Sequence, residues 1–149
     1  MDEAARLLAA IEWTYADGDP VACAELARRI AVAGRTLDKF LNYTELVEGV
    51  TFRLPNVADG HSFEIHEWTD LNRALIGDFL GRIAADSYQQ GRFLASALVI
   101  GKESSRPGEG FYGLAEDVGL LRSSNETLRL TFWFEHARLA RAWYAANAV

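Results

Sequence analysis

Phe93-Leu94-Ala95-Ser96-Ala97-Leu98-Val99-Ile100-Gly101 is the stretch on which the fold turns. After it come Lys102-Glu103-Ser104-Ser105-Arg106-Pro107-Gly108-Glu109-Gly110 and then Phe111-Tyr112. The first segment is a short apolar run, far below the roughly 20 residues of a membrane helix and rich in β-formers at its end. It predicts a buried strand at the centre of a small sheet. Pro107, Gly108 and Gly110 mark the second segment as a turn-forming loop. A buried element that delivers an ordered polar loop is a good place to build a binding site.

Working outward, the remaining segments are mostly helical in pattern. Asp2 caps a predicted helix over 2–16, with Ala4, Leu7, Leu8, Ile11 and Tyr15 on one stripe and Trp13 opposite. An aromatic as large as Trp13 implies an interface there, within the domain or between chains. Asp17-Gly18-Asp19-Pro20 breaks the pattern, and Asp19-Pro20 starts a second helix to about Val32, ended by Gly34. These two form an αα-hairpin. Leu37, Phe40, Leu41, Tyr43 and Leu46 give a helix over 35–48. Val50–Leu54 and His61–Trp68 read as strands of a hairpin, with Phe63 and Ile65 on one face. Thr69 or Asp70 caps the next helix, to about Ser87. Its stripe of Leu71, Leu75, Ile76, Phe79, Leu80 and Ile83 is the strongest helical signal in the chain. Gly77 and Gly81, four apart on that helix, imply close packing against a neighbour. A short helix from Tyr112 to about Val118 stops at Gly119. Ser123 and Glu126 form a capping box for a last helix to about Asn147. Its apolar side carries Leu128, Phe132, Leu139 and Trp143, flanked by Trp133, Phe134 and Tyr144. The expected class is α+β: one domain over 1–149, mostly helical, around a small antiparallel or mixed sheet.

Composition narrows the function classes. The chain has 149 residues, enough to bury a core, with half of them hydrophobic and a net charge of −6. Residues 1–70 hold 13 acids against 6 bases, and residues 71–149 hold 8 against 9. That balance opposes nonspecific binding to nucleic acid. Arginine supplies 13 of the 15 basic residues, and the Ala- and Arg-rich, Lys-poor usage points to a GC-rich bacterial genome. Met1-Asp2-Glu3-Ala4 carries acids where a secretory signal would carry bases, so a cytoplasmic location is expected, with no membrane association. Cys23 is the sole cysteine, so no internal disulfide forms.

Few groupings carry chemistry. On a strand, Glu64 and His66 share a face while His61 points away, which leaves two ligands where a catalytic zinc takes three. A polar hairpin face is the better reading, and neither metal nor cofactor is expected. His136 lies on the apolar stripe of the last helix and reads as a core histidine bonded to a carbonyl. Cys23, beside Glu25, reads as structural. No serine sits in a nucleophile elbow, and no Walker lysine-serine pair follows Gly110.

Leu80-Gly81-Arg82-Ile83, Leu94–Val99, Pro107-Gly108-Glu109-Gly110-Phe111 and Phe132-Trp133-Phe134-Glu135 together resemble a family of uncharacterised small bacterial proteins, over the second half of the chain. The resemblance implies no activity. The order of elements also resembles winged-helix arrangements, which is analogy of fold alone. The expected function is a non-enzymatic binding or adaptor module with a protein partner, self-association being compatible with it. Its recognition residues are Lys102, Glu103, Arg106, Gly108, Glu109 and Phe111. The alternatives are a winged-helix-like DNA-binding regulator and a hydrolytic enzyme with a site near Glu64 and His66.

Overall fold

The computed structural model describes residues 2–36 and 39–147. It is a mostly helical α+β structure. Six α-helices are α1 (Glu3–Ala9), α2 (Pro20–Arg35), α3 (Tyr43–Val47), α4 (Asp70–Gly91), α5 (Glu109–Asp117) and α6 (Glu126–Ala146). Two short strands, β1 (Leu41–Asn42) and β2 (Val99–Ile100), pair in parallel, Leu41 opposite Val99 and Asn42 opposite Ile100. The sheet is therefore neither antiparallel nor mixed. A parallel pair needs a long crossover, and α3 and α4 lie within it.

The predicted strand over 93–100 is not a strand through most of its length. Phe93 lies in a bend, Leu94 is extended, Ala95–Leu98 form a 3-10 turn, and only Val99 and Ile100 join the sheet. The run is nonetheless the centre of the core. Phe93, Leu94 and Leu98 are wholly buried, and α2, α4 and α6 pack around the turn. A buried backbone must still satisfy its polar groups, and here side chains do so in place of neighbouring strands. Ser87 Oγ lies 2.9 Å from the Phe93 carbonyl and accepts from the Ala95 N–H at 2.9 Å. His136 Nδ1 accepts from the Leu94 N–H at 3.0 Å. Trp133 Nε1 donates to the Ala97 carbonyl at 2.8 Å. His136 is thus a core histidine, but its partner is an N–H and not the expected carbonyl. Burial pushes its pKa down to about 4, so the ring is neutral at pH 7.

Helix starts follow the caps. Asp2, Asp19 and Thr69 accept from Ala5, Ala22 and Asn72 N–H respectively. Asp19 also accepts from the Arg53 N–H at 2.7 Å, which ties α2 to the following segment. Helix α1 ends at Ala9, not at residue 16. The chain beyond it is captured by Asp78 of α4, whose Oδ2 accepts from Tyr15 and Ala16 N–H at 2.8 Å each. Trp13 therefore lies in a loop. Helix α2 runs to Arg35, past Gly34, which sits under the Tyr144 ring. The predicted 35–48 helix is only α3, preceded by β1; Leu37 falls outside the described residues. Asn42 and Glu45 cap α3 reciprocally.

The predicted hairpin reduces to one antiparallel bridge, Phe52 with Phe63, exchanging bonds of 2.8 and 2.9 Å. Pro55 and the positive φ of Ala58, Asp59 and Gly60 turn the chain out of the ladder. Helix α4 extends to Gly91 and stops at Arg92, which is left-handed at φ +61°. Helix α5 ends as expected at Gly119 (φ +80°), where Gly119 and Leu120 N–H return to Glu116 and Ala115 carbonyls. Asn125, not Ser123, caps α6, accepting from Thr127 and Leu128 N–H. Its buried face is Trp133, His136, Ala137 and Ala140, while Leu128 and Phe134 are exposed.

Candidate functional site

A cleft of about 910 Å³ opens between α4, α5 and the 101–110 loop. Ser96 and Val99, both buried, reach it from beneath. One wall is α4, through Ile76, Gly77, Leu80 and Gly81; another is α5, through Gly110, Phe111, Gly113 and Leu114. Tyr43, Thr44, Trp68 and Trp13 also line it, with Arg73 at its edge. Trp68 holds Tyr43 edge-on at 5.9 Å between centroids and donates from Nε1 to Thr44 Oγ1 at 3.4 Å.

The two α4 glycines play different parts. At Gly81 an added Cβ would stand 2.3 Å from the Trp13 ring, so Gly81 is the seat on which Trp13 packs. Gly81 alone shows the close packing expected from the pair, and it supplies the interface expected for Trp13. At Gly77 an added Cβ would meet nothing within 4 Å, because that position faces the cleft. Gly110 and Gly113 on α5 are equally open.

The loop builds its own frame. The Gly101 N–H donates to the Arg106 carbonyl at 2.8 Å and the Ser105 N–H returns to Gly101 at 2.9 Å, with Ser105 left-handed at φ +57°. The Gly108 N–H donates to Tyr43 Oη at 3.2 Å. A Cβ on Gly108 would lie 2.8 Å from that oxygen, so a side chain there would displace the phenol. Burial raises the Tyr43 phenol pKa, so the group remains protonated.

The recognition residues read from the sequence divide. Lys102, Glu103, Gly108, Glu109 and Phe111 line the cleft. Arg106 does not, because its guanidinium is paired with Glu126 of α6. Glu109 pairs with Arg129 at 2.9 Å, and Arg129 lies over the Tyr112 ring at 4.7 Å. Phe111 is buried and tilted against Phe132. Lys102, Glu103 and Asp117 form no ion pair with any described residue and stand exposed on the rim. Glu64 and His66 lie 3.8 Å apart on the surface, with His66 largely exposed, and neither lines the cleft. Among the described residues no three His, Cys, Asp or Glu side chains gather as a metal site. Burial, with Asp86 adding to it, lifts the Cys23 thiol to about 11, the setting of an unreactive cysteine.

Sequence reasoning missed Trp13, Tyr43, Trp68, Gly77 and Ser96 as cleft residues. The available signals were a glycine in the strongest helix and a serine inside the apolar run. Ser96 is 6% exposed, and its hydroxyl has no hydrogen-bond partner among the described residues. No protein-family model matches the chain, and neither a curated protein nor a solved structure matches it. Among the described residues no helix is long and apolar enough to cross a membrane.

Proposed function

We propose that this chain is a non-enzymatic binding module of a bacterial cytoplasmic system, recognising a protein partner through the 101–110 loop and the cleft that the loop borders. The observation that carries the reading is the cleft itself. Its volume of about 910 Å³ falls at the upper end of typical ligand sites, and its lining joins aromatic walls to a few polar groups. Neither His nor Cys lines it, and its polar groups include Ser96, Lys102 and carboxylates at the rim. Lys102 and Glu103 offer unpaired charges on the loop, where rim charges govern encounter and specificity.

The test swaps those two charges, Lys102→Glu with Glu103→Lys, and leaves the paired Arg106 alone. Partner capture from the native lysate is expected to be lost while the melting temperature stays within a degree or so, since exposed substitutions change stability by about 0.5 kcal/mol or less. Capture that survives the swap overturns the reading. The DNA-regulator alternative separates on charge. At −6 the chain is expected to leave mixed-sequence duplex DNA unbound at physiological salt. A micromolar shift at that salt would replace the module reading with the regulator.

A further inference from the structure

Two features of the cleft go beyond a loop for a protein partner. The first is Ser96, a residue 6% exposed that lines the cleft and whose hydroxyl has no partner among the described residues. That hydroxyl is not one of the sealed, unpaired atoms of the interior, so it is open to the cleft and free to bond what enters it. Ser87 differs, with its hydroxyl engaged by the backbone at Phe93 and Ala95. The second feature is the lining: Trp13, Tyr43, Trp68 and Phe111 present rings, while Gly77 and Gly113 present bare backbone. Aromatic rings favour other rings, offset or edge-on. Backbone without a Cβ admits a flat molecule close to the helix surface. The unpaired rim charges are of both signs, Lys102 against Glu103 and Asp117, so the site selects no strongly charged ligand.

We infer that the cleft is a small-molecule site for a neutral, flat, ring-bearing compound with one polar atom, which lies among the four aromatics and hydrogen-bonds to Ser96. A purely aliphatic chain would leave the Ser96 hydroxyl unpaired beneath it. An anion would meet Glu103 and Asp117 at the rim, and a cation would meet Lys102 and Arg73. The inference rests on the cleft being a binding site, but not on the protein partner or the loop charges.

The experiment uses three probes on the full chain: 2-naphthol, naphthalene and 1-decanol, followed by calorimetry and ligand-observed NMR. 2-Naphthol is expected to bind one per chain and more tightly than either other probe. Ser96→Ala should weaken 2-naphthol about five- to tenfold, the worth of one hydrogen bond, and leave naphthalene unchanged. Gly77→Leu should weaken both rings by about tenfold or more, by filling the space they occupy. An added Cβ at Gly77 meets nothing within 4 Å, so the fold tolerates it. Gly113→Leu, equally open, repeats the block from the α5 wall. The inference is overturned if 1-decanol binds more tightly than 2-naphthol, if no probe binds, or if 2-naphthol binds Gly77→Leu and Gly113→Leu as it binds the unaltered chain. Loss of partner capture in the loop charge swap is a separate readout. Failure of the probes with capture intact removes the small-molecule site alone.

Discussion

Two buried serines differ in what they bond: Ser87 on α4 supports the buried run, and Ser96 belongs to the run itself. Ser87, 4% exposed, has three polar partners: the carbonyls of Ala84 and Phe93 and the N–H of Ala95. Ser96, 6% exposed, has none among the described residues. The first stands on α4 and bonds the backbone of the run that follows that helix. The second faces the cleft. Similar residue burial with unequal satisfaction separates a side chain that holds the fold from one left open to the cleft.

The largest expected effect sharpens this contrast. Ser87→Ala orphans the Phe93 carbonyl and the Ala95 N–H, two buried groups at about 1–3 kcal/mol each, so a loss of about 3–4 kcal/mol is expected. Ser96→Ala removes a hydroxyl that satisfies nothing, so stability should stay within about 0.5 kcal/mol. Chemical denaturation of both variants measures the difference. Equal losses would mean that Ser96 is as structural as Ser87, and the contrast would collapse.

The second expected effect comes from His136, which supports the same run as Ser87. In the unfolded chain the imidazole takes up its proton near pH 6.5; in the fold it resists protonation until about pH 4, because of burial. Glu135 pulls weakly the other way. Between those values the unfolded state holds more protons, so stability falls as the pH falls. The neutral ring's contribution is intact above pH 6.5 and is lost by pH 4, a change of about 3 kcal/mol. Denaturation at pH 7 and pH 4, repeated with His136→Gln, isolates it. The variant should lose this part of the acid sensitivity, and an unchanged slope would show that other groups set it.

The sequence made the helices legible because their signals are local. Asp2, Asp19 and Thr69 cap the helices they were expected to start, and Gly119 stops α5. Burial of Phe93–Ile100 was legible too, since an apolar run excludes water whatever its backbone does. Its conformation was not, because a short apolar run does not say whether a strand or side chains will satisfy its backbone. Ser87, Trp133 and His136 are 6–42 positions away from the groups they serve. The capture of Tyr15 and Ala16 by Asp78, which stops α1 early, is equally remote. The candidate site followed suit. The loop was visible through Pro107 and Gly108, but the pairing of Arg106 with Glu126 was not. Nor was the convergence of Trp13, Tyr43 and Trp68, which only the tertiary fold brings to one cleft.

The smallest expected effect carries the same contrast to the two glycines of α4. A glycine inside a helix costs about 0.5–1 kcal/mol relative to alanine, because the unfolded chain has more freedom to lose. Where the side chain has room, alanine should recover that amount. At Gly81 there is no room: the Cβ would stand 2.3 Å from the Trp13 ring. Gly81→Ala must therefore push the indole from its seat, and a loss of about 1–3 kcal/mol from overpacking is expected. At Gly77 the space is open, and Gly77→Ala should gain about 0.5–1 kcal/mol, or about 2–3 °C in Tm. A gain at Gly77 would mean that glycine is kept there at a standing cost in helix stability, which fits a surface that something must approach closely. A loss at Gly77 would show that the α4 wall closes over that position, and the cleft would then be too narrow for a ring.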